Sequence, residues 1–73
     1  MSGVNTGRGG VPAAVGHGRF VVMRDRNGVR TAVQRHAVSA ACEGPDGGTT
    51  LLLPGGRLVQ LDEDLDLVLA WLA

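Results

Sequence analysis

The chain has 73 residues, with seven Arg, no Lys and seven Asp plus Glu, for a formal net charge of zero. That length holds one small domain, and a neutral chain is not drawn to nucleic acid or acidic lipid by bulk charge. One Cys, Cys42, excludes an intramolecular disulfide framework, one Cys with two His does not close a four-ligand zinc site, and no apolar run approaches the ~18–20 residues of a membrane span.

In chain order, residues 1–18 carry six of the twelve Gly together with Pro12 and show no sustained apolar period. Such a stretch reads as a flexible Gly-rich arm, because glycine loses the most entropy on ordering and little here is available for burial. It lacks the charged start and apolar core of a signal peptide, so a reduced, cytoplasmic protein is expected. The domain proper is expected over residues 19–73.

Arg19 to Arg24 predicts a strand, rich in β-branched and aromatic residues. Asn27-Gly28 follows and predicts a tight hairpin of type I′. Val29 to Gln34 returns as a strand, with Val29, Thr31 and Val33 on one face and Arg30, Ala32 and Gln34 on the other. His36 to Glu43, apolar with small residues, reads as a strand in preference to a helical turn. Residues 44–48 form a loop by composition. Thr49 to Leu53 predicts a strand whose Leu51-Leu52-Leu53 run suggests burial on both faces. Pro54-Gly55-Gly56 predicts a second hairpin, and Arg57 to Leu61 the last strand, alternating Leu58 and Gln60 with Val59 and Leu61.

The chain closes on a predicted helix. Asp62 is the expected N-cap, and Glu63, Asp64 and Asp66 place negative charge near the first turn, where it offsets the helix dipole. Leu61, Leu65, Val68, Leu69 and Leu72 fall within about 100° of arc and are expected to pack on the sheet. Leu67 and Trp71 lie one turn apart, off that stripe. The expected architecture is therefore α+β: a small antiparallel sheet of four to five strands with one C-terminal amphipathic helix.

This order resembles the small bacterial flagellar-motility family called FlbD or SwrD. The residues that carry the likeness are Arg26-Asn27-Gly28, Glu43, Pro45-Asp46, Gly56 and Asp62 to Leu72, within a span of about Phe20 to Leu72. The end of the chain is also similar to LytTR-type DNA-binding domains. The Gly-rich arm, the Gly47-Gly48 insertion and the lack of Lys depart from the flagellar pattern. The resemblance implies a regulatory or assembly role.

No catalytic constellation stands out. His36 and Cys42 form the one nucleophile–base pair to weigh, and in an extended segment they would lie about 20 Å apart. The run Asp62, Glu63, Asp64 fits helix capping better than a metal site, since consecutive residues diverge around a helix. Gly7-Arg8-Gly9-Gly10 has no strand before it, so it fails the context test for a dinucleotide turn. The chain is expected to be non-enzymatic, with no cofactor, no metal and no evident small-molecule substrate.

Charge is divided along the chain. Residues 1–42 hold six Arg against Asp25, and residues 43–73 hold Arg57 against six carboxylates. The halves are expected to pair in the fold. Candidate partner-binding residues are Leu67 and Trp71, as an apolar patch, and Arg24, Arg26, Arg30 and Arg35, around a basic hairpin. The first reading is a protein-interaction or regulatory module that self-associates or serves as a small subunit of an assembly. The alternatives are a nucleic-acid-binding regulator using the Arg-rich hairpin and a phage- or defence-related inhibitor of similar size.

Overall fold

The computed structural model describes residues 14–73; the expected arm lies outside the described residues over positions 1–13. The described residues form an α+β domain of two three-stranded antiparallel sheets and one helix. The first sheet has the order β1 (Ala14–His17), β2 (Phe20–Arg24), β3 (Arg30–Gln34), and the second the order β4 (Ala40–Glu43), β5 (Thr49–Leu53), β6 (Arg57–Leu61). Helix α1 spans Leu65–Leu72. Among the described residues, no helix is long and apolar enough to cross a membrane.

Four expectations are corrected here. Residues 14–17 belong to a strand and not to the arm: Ala14 to His17 pairs in register with Phe20 to Met23 across the two-residue turn Gly18-Arg19. The single sheet of four to five strands is instead two sheets of three. They are separated by a 3₁₀ turn at Arg35–Ala37, so the segment read as one strand from His36 to Glu43 is a turn followed by β4. Finally, the run Leu51-Leu52-Leu53 is not buried on both faces. Leu51 is fully buried, whereas Leu52 is 37% exposed on the outer side.

The β2–β3 hairpin also differs from the type I′ expectation. Gly28 N–H donates to Asp25 C=O at 2.9 Å and Asp25 N–H to Val29 C=O at 2.9 Å, which defines a three-residue loop of Arg26, Asn27 and Gly28. Only its last position needs the left-handed region, and Gly28 supplies it with φ 82°. The Asp25 carboxylate braces the loop by accepting from the N–H groups of Asn27 and Val29, each at 2.9 Å. The β4–β5 loop repeats this hydrogen-bond pattern at Gly44–Gly48, with Gly47 N–H on Gly44 C=O at 3.0 Å and Gly44 N–H on Gly48 C=O at 2.8 Å.

The core is formed where the inner faces meet: Val21, Met23 and Val33 from the first sheet, Leu51, Val59 and Leu61 from the second, and Val68 from α1. Trp71, Leu72, Ala14, Val38, Ala41 and Leu53 pack around it, half-buried. The polar Thr49 sits in this layer at 1% exposure, and its hydroxyl donates to Glu63 C=O at 2.9 Å, which anchors the segment leading into α1.

The helix starts two residues later than expected. Asp64, not Asp62, is the N-cap: its carboxylate accepts from Leu67 N–H at 2.8 Å. Asp62 is taken by a long-range ion pair with Arg26. Asp64→Ala is expected to lower stability by about 1 kcal/mol, while Asp64→Asn, which keeps an acceptor, should cost little; urea unfolding of both variants measures the difference.

Candidate functional site

The predicted basic residues separate into different roles once placed. Arg26, at the tip of the β2–β3 loop, fastens the two sheets together. Its backbone N–H donates to Gln60 C=O at 2.7 Å, its Nη2 lies 2.9 Å from Asp46 Oδ2, and its Nε lies 3.0 Å from Asp62 Oδ1. The basic and acidic halves of the sequence do pair at this point, as expected. Arg35 also acts within the chain: its Nη1 donates to Ala73 C=O at 2.9 Å, and the guanidinium passes beneath Gly16.

Asp46 is held below the ordinary carboxylate value of 3.8, first by the Gly48 N–H that donates to it and then by the positive charge of Arg26. A carboxylate depressed on folding adds stability that is complete above its unfolded value and is lost as pH falls through the folded one. The Arg26–Asp46 contact is therefore expected to persist below the ordinary carboxylate range and to weaken only as pH falls through the lowered value of Asp46. Asp46→Asn should lower stability slightly at neutral pH, converge with the wild type in acid and so flatten the acid limb of a stability–pH curve, as monitored by circular dichroism.

Arg24 and Arg30 face solvent as direct cross-strand partners on the outer face of the first sheet. The same face presents Phe20 and Val22 from β2, Val15 and His17 from β1, and Ala32 and Gln34 from β3.

Leu67 and Trp71 do not form a shared free patch. Trp71, expected off the core stripe, is half-buried against the core, and Leu69, expected on the stripe, is exposed. The helix is turned so that Val68, Trp71 and Leu72 point inward. Leu67 and Leu69 are two residues apart, about 200° around the helix, so each is a separate exposed side chain and not one surface.

The surface that the sequence reading missed is the outer face of the second sheet. Register places Ala40, Leu52 and Leu58 in one cross-strand row and Cys42, Thr50 and Gln60 in the next. Leu52 and Leu58 are 37% and 62% exposed. None of these six side chains is charged, although 19% of the chain is. The face continues past Leu58 and Gln60 into a cleft of about 300 Å³ walled by Asp25, Arg26 and Asn27. The alternation Leu58, Gln60 against Val59, Leu61 was visible in the sequence, but the matching residues on β4 and β5 come together only through the register.

His36 lies in the 3₁₀ turn and Cys42 on the outer face of β4, both exposed, and the two do not share a strand. No family model matches the chain, and no curated protein or solved structure matches it.

Proposed function

We propose that this domain is a non-enzymatic interaction module that works as an oligomer, with the outer face of the second sheet as its contact. The observation that carries the reading is the uncharged face of Ala40, Cys42, Thr50, Leu52, Leu58 and Gln60, with Leu52 of the central strand and Leu58 of the edge strand exposed side by side. Contiguous exposed apolar surface on a small domain marks an interaction site, and the centres of homodimer interfaces are depleted of charge. A second copy is the favoured partner, because two such faces pack sheet on sheet without desolvating a charged side chain. Domain size favours the same outcome. Among the described residues the core has seven buried apolar side chains, which is small, and association adds buried area that one copy lacks.

The regulatory or assembly role implied by the flagellar resemblance is compatible with a module of this kind. A reducing, cytoplasmic setting fits the exposed free thiol of Cys42.

The test is cross-linking through Cys42. A short bismaleimide should join two copies of the wild type at that residue with high yield. Replacing Leu52 and Leu58 together by Asp should abolish the cross-link while the circular dichroism spectrum is retained. A cross-link that survives the double substitution would contradict the proposed contact.

A further inference from the structure

The outer face of the first sheet has a different chemistry from the leucine face. Its central strand β2 exposes Phe20 at 41%, and the register places His17 of β1 on one side of it and Gln34 of β3 on the other. The next outward row is Val15, Val22 and Ala32, and the row after that is the pair Arg24 and Arg30. Arg24 donates to Gly28 C=O at 2.9 Å, and neither guanidinium is ion-paired among the described residues. The nearest carboxylate in sequence, Asp25, is turned into the loop to hold two backbone N–H groups. Two like charges directly opposite each other on adjacent strands repel, and an anion lying across them relieves that repulsion.

We propose that this face binds single-stranded nucleic acid, with a base stacked on Phe20 and phosphates held by Arg24 and Arg30. An open sheet with an exposed aromatic on its central strand offers a platform for an unpaired base, and every base has a face to stack. His17 and Gln34, flanking the ring, offer donors and acceptors to the edge of that base. The guanidinium pair lies four residues along β2, about 13 Å away, so one strand running over Val22 reaches both ends. A duplex keeps its bases stacked inside and leaves Phe20 without a partner. An acidic peptide satisfies the arginines but makes no use of the ring and its polar flanks.

Because the chain is neutral overall, the electrostatic part of binding rests on this pair. Two phosphate contacts predict a slope of about −1.4 for log affinity against log salt. The inference is independent of the leucine face, which lies on the other sheet.

The experiment is fluorescence anisotropy of the full chain with labelled short oligo-U and oligo-dT. A duplex of the same length, a polyglutamate peptide and phosphatidylserine vesicles serve as competitors. The expected result is that a single strand binds and the duplex competes weakly, with the salt slope given above. Phe20→Leu should weaken binding about tenfold with the fold retained, and Arg24→Gln with Arg30→Gln should bring the slope near zero. Binding of either oligo-U or oligo-dT supports the site, and their ratio tells whether the sugar is read. Absence of binding at low salt would overturn the proposal, as would unchanged affinity in Phe20→Leu. Competition by polyglutamate or vesicles as strong as by unlabelled oligonucleotide would reassign the face to an acidic protein or to lipid. The Leu52, Leu58 double variant should bind oligonucleotide as the wild type does, which separates this outcome from the fate of the oligomer.

Discussion

Gly48→Ala is expected to remove about half of the protein's stability in water. A Cβ at position 48 would stand 2.5 Å from Leu61 O and 2.6 Å from Arg26 Nη2. The guanidinium can swing away, but that movement breaks its contact with Asp46. The carbonyl cannot move so easily. Leu61 is fully buried and is the β6 partner of Thr49, the residue next to Gly48, so relief requires opening the end of the β5–β6 ladder. Overpacking of this kind costs about 1–3 kcal/mol, and a domain of this size has about 3–5 kcal/mol in its core. Gly47→Ala is the control. Nothing lies within 4 Å of a Cβ there, and the strain comes only from φ +88°. That substitution should cost about 1 kcal/mol. In urea titrations the midpoint of Gly48→Ala should fall well below that of Gly47→Ala, and equal midpoints would refute the crowding argument.

Leu51→Ala is expected to be the most damaging truncation in the second sheet. Leu51 is fully buried at the centre of β5, between Ala41 of β4 and Val59 of β6. Removing a buried leucine side chain costs about 2–5 kcal/mol, comparable with the whole stability expected here. Leu52→Ala, one residue along, should change monomer stability by about 0.5 kcal/mol or less, because Leu52 points outward. Denaturation at low protein concentration compares the two without a contribution from association. Equal losses in both would mean that the face assigned to Leu52 is wrong.

Those two leucines mark how far the sequence could be read. Strands β2, β5 and β6 and the terminal helix were legible because apolar runs and turn residues are local signals. Strand β1 was not. Apart from Val15, the residues Ala14, Gly16 and His17 have little β-propensity of their own, and the segment becomes a strand by pairing with β2 across a two-residue turn. The division into two sheets was also hidden, since a string of strands does not state where hydrogen bonding stops. It stops at the 3₁₀ turn Arg35–Ala37. Asp62 and Asp64 compete as caps on equal local terms, and the distant Arg26 decides between them.

The candidate site was partly legible for the same reason. Arg24, Arg26, Arg30 and Arg35 look alike in sequence. The loop tip gives Arg26 to two carboxylates, the strand end gives Arg35 to Ala73 C=O, and only Arg24 and Arg30 remain together on an open face. The helix pattern pointed inward the stripe that holds Leu69 and left Trp71 outside it, but packing turned Trp71 toward the core and Leu69 away from it. The uncharged face of the second sheet depends on the registers of β4 with β5 and of β5 with β6, and neither can be deduced from periodicity alone.

The central claim is association through that face, and light scattering after size exclusion tests it most directly. The wild-type chain is predicted to elute as a discrete oligomer with no excess absorbance at 260 nm after high-salt washing. The variant with Leu52→Asp and Leu58→Asp is predicted to elute as a folded monomer. A wild type that stays monomeric at high concentration, or a double variant with the wild-type mass, would contradict the account.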